Sequence, residues 1–169
     1  ARQVIELQSL EDNDRGVSLN VGTIQGGSRS NVVADEARAS IDIRVPTQTD
    51  ALQVQDFLHR LESKIAGTTV KVSGSFRPPL ERSASVIRLY EMAQRVAVSM
   101  GRELSEGGTG GGSDGNLTAA HGIPTLDGLG AVGQGAHALH EHVLIDQLPW
   151  RAALIAGLIQ HLEDGAAIK

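Results

Sequence analysis

The chain has 169 residues, of which 40% are hydrophobic, and it carries a formal net charge of −5. This length suits one ordinary domain or two small ones. An acidic balance without a basic tract argues against a nucleic-acid partner, and no apolar run reaches the roughly 18–20 residues of a membrane span. Cysteine is absent, which excludes disulfides and thiolate metal sites and leaves the compartment open between cytosol and periplasm.

Hydrophobic periodicity predicts a small α+β layer in the first part of the chain. Its elements are a helix over 2–11, antiparallel strands over 17–24 and 37–45, a helix capped by Asp50 that runs to about Ile65, and a strand over 68–76. The expected buried side of the second helix carries Leu52, Val54, Phe57, Leu58 and Leu61. This order is one strand short of a ferredoxin-like sandwich.

A break at Arg77-Pro78-Pro79 indicates a linker or a domain crossing, and the pattern behind it alternates helix with strand as in an α/β sheet. The expected elements are a helix from Ser83 or Ser85 to about Met100, a short helix from Ser113 to His121, a strand over 124–129 and a helix from Asp146 to about Glu163. The last helix is expected to bury Leu154, Ile155, Leu158, Ile159 and Leu162.

The start of the chain carries a further expectation. It begins with Ala1 and enters a helical pattern at once, without the usual capping residue. This start predicts that the chain is a fragment or a processed product.

The segment Gly110-Gly-Gly-Ser-Asp-Gly-Asn116 is the first candidate site. Glycines let a ligand approach the backbone, and free N–H groups at the start of a helix can hold an anion. The Lys-Ser or Lys-Thr pair of a phosphate loop is absent, so a carboxylate-bearing ligand fits at least as well. A flexible linker is the alternative reading of a glycine run.

His137 lies in Gly133-Gln-Gly-Ala-His-Ala-Leu-His-Glu-His142, the second candidate site. A neutral imidazole is a common zinc ligand, although a lone histidine is more often structural. On a strand, His140 and His142 would face one way and His137 the other. The spacing therefore favours His137 as a single ligand over a complete site.

Two polar residues in the first part of the chain suit substrate recognition. Arg77, stiffened by the prolines that follow, can bind a carboxylate at two points, and the Asn31 amide can hold a carbonyl or oxyanion. A solvated arginine and a turn residue are the ordinary alternatives. Arg44 ends a strand and is expected to form a structural ion pair.

Taken in order, these motifs resemble the zinc metallopeptidase family of glutamate carboxypeptidase, acetylornithine deacetylase, succinyl-diaminopimelate desuccinylase and aminoacylase. The family has Gly-Gly-(Thr/Ser)-Asp before a short helix, then His with an acidic residue a few places on. These correspond to Ser113, Asp114, His137 and Glu141. Arg77-Pro78 and Ser30-Asn31 match the glutamate carboxypeptidase branch, although Ala34 replaces the proline of the second motif.

The resemblance implies an incomplete ferredoxin-like lid, which also dimerises, over 1–76 and the C-terminal part of an α/β catalytic domain over 77–169. It implies that His137 binds one of two zinc ions and that Asn31 contacts a peptide or N-acyl amino acid near the scissile carbonyl. The substrate carboxylate would be held by Arg77 and by the backbone at Gly111, Gly112 and Ser113. A homodimer is expected through the lid.

The resemblance also implies what this chain lacks. The family's other metal ligands and its general base precede the lid, and no stretch here matches them. We therefore expect the chain to be inactive alone. Two alternatives stay open: a non-enzymatic association module that pairs through an open sheet edge, and a small metal-binding protein that uses His137, His140, Glu141 and His142.

Overall fold

The computed structural model describes residues 1–163, which form helices and short antiparallel strands. The chain divides into two compact units. The first is Ala1–Glu81 with Gly110–Gly112, and the second takes in Arg82–Thr109 and, of the described chain, residues 113–163. The described elements are α1 (Arg2–Gln8), β1 (Ser18–Gly26), β2 (Ala37–Arg44), α2 (Gln48–His59), α3 (Ala84–Ser99), α4 (Gly115–Ala120), β3 (Gly133–Gln134), β4 (His142–Val143), a 3-10 turn (Ile145–Gln147) and α5 (Leu148–Glu163).

The sheet of the first unit is an antiparallel hairpin of β1 and β2, which confirms the predicted pairing. Leu19 lies opposite Ile43 and Val21 opposite Ile41, so half-buried aliphatic residues share one face. A bulge between Val21 and Thr23 shifts the register beyond them. The core of this unit consists of the buried side chains Leu7, Val17, Ala51 and Val54.

Helix α2 differs from its prediction at both ends. Thr47 is the N-cap, and its hydroxyl accepts the Asp50 N–H at 3.1 Å. The Asp50 carboxylate is buried within the helix, where it accepts hydrogen bonds from Thr47 and Arg15. The helix ends at His59, and Ile65, the residue to which it was predicted to run, is exposed.

The buried face of α2 is narrower than predicted. Val54 is buried, while Phe57, Leu58 and Leu61 are half-buried. Leu52 is exposed, and Ala51 takes the core position beside it.

Residues 68–76 do not form the predicted third strand. Val70, Val72 and Phe76 keep the alternation of a strand, but none of the described residues pairs with this segment. A strand exists only where a neighbour satisfies its backbone groups, so the pattern alone could not produce one.

The second unit is built on the contact between α3 and α5. Ser83 caps α3 by accepting the Val86 N–H at 3.3 Å, as predicted. A Cβ added at Gly157 of α5 would lie 2.6 Å from Val96 Cγ1, so the two helices approach closely there. The core of buried residues contains Met92, Ala93, Val96, Ala97, Leu154 and Leu158.

The prediction for α5 was wrong at Ile155, Ile159 and Leu162, which are 38%, 52% and 42% exposed. The helix is apolar on more than one face, and the described residues cover only the face that carries Leu154 and Leu158. No helix within residues 1–163 combines the length and apolar character that crossing a membrane requires.

The predicted strand over 124–129 is also absent. Buried Arg151 donates to the backbone carbonyls of Gly128, Leu129 and Gly130 at 2.5, 3.2 and 2.8 Å. Those carbonyls are therefore directed at a side chain and not at a neighbouring strand. The short pair of β3 and β4 follows instead.

Replacing Leu154 with Ala tests this packing. We expect Leu154→Ala to lower the free energy of unfolding of the second unit by about 2–5 kcal/mol, because it leaves a cavity in the core. The control Ile159→Ala, at a half-exposed site on the same helix, should cost about 1 kcal/mol or less. Urea unfolding followed by fluorescence of the single Trp150 measures both. Equal losses would contradict the described core.

Candidate functional site

Residues Gly110–Gly112 lie against two arginine side chains of the first unit. A Cβ added at Gly110 would lie 2.8 Å from Arg44 Cδ, and one at Gly112 would lie 2.9 Å from Arg77 Cδ. Real Cβ atoms do not approach other atoms so closely, so any larger residue would displace the arginine stems. The structure thus brings together Arg77 and Gly112, two residues singled out from the sequence.

The two arginines differ in their partners. Arg44 Nε donates to Asp42 Oδ2 at 2.7 Å, which confirms the predicted ion pair. The exposed Arg77 guanidinium makes no hydrogen bond or ion pair within residues 1–163. Arg77 therefore presents a guanidinium beside the exposed backbone of Gly112, with its donors available to an anion.

Ser113 is already engaged through its backbone. Its N–H donates to Asn116 Oδ1 at 2.8 Å, and its hydroxyl accepts from the Gly115 N–H at 3.1 Å. Asp114 occupies the N-cap of the six-residue helix α4 without a side-chain capping bond. The buried Asn116 side chain fixes this turn, a role that its place in the sequence motif did not reveal. Within residues 1–163, the Ser113 hydroxyl accepts the hydrogen bond from Gly115 and donates none, so its proton can still be donated to a ligand.

Asn31 lies in the loop between β1 and β2, where it is exposed. The Val32 N–H donates to the Arg29 carbonyl at 3.3 Å, so Asn31 belongs to a turn. Gly27 enters the loop with a left-handed φ of 73°. The Asn31 side chain thus reaches solvent from the tip of the hairpin.

His137 lies in the loop that connects β3 and β4. Its φ of 67° is left-handed, which is uncommon for a residue other than glycine and costs about 1–2 kcal/mol. Its N–H donates to Glu141 Oε2 at 3.3 Å, so Glu141 helps to hold this conformation. The exposed imidazole makes no hydrogen bond within the described chain, and it remains available as a ligand.

The neighbouring histidines are placed for local contacts. The His142 ring nitrogen Nδ1 lies 3.0 Å from the His140 carbonyl, and a Cβ added at Gly135 would lie 2.7 Å from His140 Cδ2. Within residues 1–163, no three His, Asp or Glu side chains are grouped so that they could share a metal ion. The described structure thus does not bring His137, His140, Glu141 and His142 together as a ligand set.

The start of the glycine run is anchored by an ion pair. Arg82 Nε and Nη2 donate to Glu106 Oε2 and Oε1, both at 2.8 Å. These hydrogen bonds lower the pKa of the Glu106 carboxyl and raise the pKa of Arg82. Glu106 directly precedes Gly107, so the bidentate contact fixes one end of the glycine run.

Comparison with known proteins shows that this chain is similar to parts of several longer proteins. Residues 1–72 match the family model of the peptidase dimerisation domain of M20 peptidases. The Bacillus subtilis (strain 168) uncharacterized protein YqjE is 29% identical over 95% of this chain and 44% of its own length. Succinyl-diaminopimelate desuccinylase of Wolinella succinogenes is 32% identical over 75% of this chain and 34% of its own length.

Two further relatives are named for peptidase activity. Carboxypeptidase G2 of Pseudomonas sp. (strain RS-16) is 27% identical over 96% of this chain and 40% of its own length. The crystal structure of aminopeptidase PepT from Bacillus cereus matches 87% of this chain and 40% of that chain, with a TM-score of 0.68 and 27% identity.

The matches define a lid domain followed by part of a peptidase, which confirms the predicted fold class. The chain belongs to the M20 peptidase family, of which it is a partial chain. It spans less than half of the length of each relative named above.

The Arg82–Glu106 pair predicts a defined pH dependence. Because folding lowers the pKa of Glu106, its contribution to stability is present above the unfolded Glu pKa of about 4.3 and is lost as pH falls through the folded value. Glu106→Gln should therefore be less stable than the parent at pH 6, and the difference should shrink as the pH is lowered below the unfolded Glu pKa.

Urea unfolding at each pH, followed by Trp150 fluorescence, measures this difference. Glu103→Gln is the control, because it removes a nearby exposed carboxylate that has no ion pair in the described chain. A stability difference between the parent and Glu106→Gln that does not change with pH would contradict the contact.

Proposed function

We propose that this chain is the part of a zinc-dependent M20 peptidase, of the carboxypeptidase or deacylase type, that recognises a substrate carboxylate. The reaction is hydrolysis of an amide bond to an amino acid whose carboxylate is free. The observation that carries the proposal is the Arg77 side chain, unpartnered within residues 1–163, against the bare backbone of Gly112.

The chemistry of this contact suits a carboxylate. A guanidinium presents a planar fork of N–H donors that matches the two oxygens of a carboxylate. Gly112 lets the ligand approach the main chain, where an N–H can add a further hydrogen bond. Gly111 and the Ser113 hydroxyl, which are adjacent in the chain, bind the same carboxylate. The Asn31 amide donates a hydrogen bond to the carbonyl of the bond that is cleaved.

His137 fits the role of one zinc ligand. Its imidazole is exposed and makes no hydrogen bond in the described chain, and Glu141 holds its backbone. By resemblance to the family, the remaining ligands of two zinc ions and the general base lie in sequence that precedes the lid. Zinc in such sites polarises a carbonyl and lowers the pKa of water. The chain alone is accordingly expected to have no hydrolytic activity.

The peptidase dimerisation domain supports a second part of the proposal, a homodimer formed through residues 1–72. A purely associating module is the alternative function that this match favours. The two functions differ in ligand binding, because an association module has no reason to distinguish a carboxylate from its amide.

Titration of the 15N-labelled chain with N-acetylglycine tests carboxylate recognition. We expect saturable shifts of the Gly111 and Gly112 amide signals with a dissociation constant of about 1–10 mM, since one weak contact supplies the affinity. N-acetylglycinamide, which lacks the negative charge, should cause no such shifts.

Matched variants locate the effect. Arg77→Ala should abolish the shifts, whereas Arg38→Ala removes an exposed arginine elsewhere on the same unit and should preserve them. Gly112→Ala displaces the Arg77 stem and should weaken binding, while Gly108→Ala adds a methyl group in open space and should not. Equal shifts with the acid and the amide, or in the absence of Arg77, would contradict the proposal.

A further inference from the structure

Aspartate is followed by glycine twice among residues 1–163, at Asp114-Gly115 and at Asp127-Gly128. In such a pair the glycine nitrogen can attack the side-chain carboxyl carbon, because glycine has no side chain that obstructs the approach. The attack needs an amide nitrogen without a hydrogen bond and a main chain that can bring it to the carboxyl. The two pairs differ in both respects. A third pair, Asp164-Gly165, lies outside the described residues.

The first pair is held by the start of α4. The Gly115 N–H donates to Ser113 Oγ at 3.1 Å. Asp114 has a helical ψ of −19°, and its carbonyl accepts the N–H groups of Leu117 and Thr118 at 3.0 and 3.4 Å. Closing a ring between the Asp114 carboxyl and the Gly115 nitrogen needs a ψ far from the helical value. Hydrogen bonds at this turn must therefore open before the pair can react.

The second pair lies in the irregular segment that follows α4, where Asp127 and Gly128 are both exposed. Neither the Asp127 carboxylate nor the Gly128 N–H makes a hydrogen bond or ion pair within residues 1–163. Gly128 has a left-handed φ of 73°, and a Cβ added there would meet no atom within 4 Å. The attacking nitrogen and the carboxyl are thus both without a contact that the reaction would have to break.

Arg151 anchors the chain on the far side of the reacting bond. Its guanidinium donates to the carbonyls of Gly128, Leu129 and Gly130, and none of these hydrogen bonds involves the Gly128 nitrogen. The attack moves the peptide group between Asp127 and Gly128. Because glycine is permissive in φ, this group can turn while the Gly128 carbonyl stays bound to Arg151.

We propose that Asp127-Gly128 is a modification site at which aspartate converts to isoaspartate. The Gly128 nitrogen bonds to the carbon of the protonated Asp127 carboxyl, and the carboxyl hydroxyl leaves as water with the amide proton. Water then adds to the main-chain carbonyl of the resulting succinimide and breaks its C–N bond. Gly128 remains linked through the former side-chain carbon of residue 127, the main-chain carboxylate is released, and no atom is gained or lost. The proposal goes beyond carboxylate recognition and does not depend on it.

The product lengthens the main chain by one atom between two anchored points. On one side, the Thr125 hydroxyl lies 2.9 Å from both the Ile123 carbonyl and the Thr118 hydroxyl. On the other side, Arg151 holds the carbonyls of residues 128–130. The modification therefore acts on the segment that Arg151 anchors.

Matched asparagine variants test the proposal, because asparagine closes the same ring with release of ammonia and its conversion changes the mass of the chain. Folded Asp127→Asn and Asp114→Asn are incubated at pH 7, and intact mass is followed over time, with the parent chain giving the background from its own asparagines. We expect Asp127→Asn to deamidate about fivefold faster or more, since the Gly115 nitrogen must first give up a hydrogen bond. In guanidinium chloride the two variants should react at similar rates.

The parent chain gives an independent readout that needs no substitution. An endoproteinase that cleaves before aspartate does not cleave before isoaspartate. Digestion after prolonged incubation of the folded chain should therefore lose the cut before residue 127 and keep the cut before residue 114. Equal deamidation rates of the two folded variants, or a faster rate at position 114, overturn the proposal. So does a cut before residue 127 that persists in the folded chain after the denatured chain has lost it.

Discussion

The close approach of Arg77 to Gly112 is the constraint on which the functional account depends. The arginine stem occupies the space that a side chain at position 112 would need, so the residue type at one position determines the placement of the other. The same holds for Arg44 and Gly110, but there the guanidinium is occupied by Asp42. A short glycine segment thus lies against two arginines. Arg44 is paired with Asp42, and Arg77 has no partner among residues 1–163.

The elements that follow from local chemistry were predictable. Helix α3 has a serine cap and a regular apolar stripe, and the hairpin of β1 and β2 has clear alternation. The strands expected over 68–76 and 124–129 failed for a different reason, because a strand depends on a partner that its own sequence does not contain. Near the segment expected as a strand over 124–129, the buried Arg151 donates hydrogen bonds to the carbonyls of Gly128 and Gly130. Nothing in the local sequence of that segment indicates this contact.

In the candidate site, too, the residue types could be selected from the sequence, whereas their contacts depend on the three-dimensional structure. Arg77 was selected because a guanidinium can bind a carboxylate at two points, and Gly112 because a glycine exposes its backbone. Their close approach is visible only in the structure. The engagement of the Ser113 N–H by Asn116 depends on the turn geometry, so the motif alone suggested a free donor. His137 was selected as a lone ligand, and its left-handed backbone, held by Glu141, became visible only in three dimensions.

In the proposed function, these features form the part of a peptidase that recognises the substrate, separate from most of the metal-binding residues. The most direct test is the zinc content of the chain after equilibration with micromolar zinc and exhaustive dialysis. Zinc sites in proteins use three or four protein ligands, and the described residues gather no such group, so the account predicts far less than one zinc per chain. One tightly held zinc per chain, lost in His137→Ala and kept in His121→Ala, would contradict it.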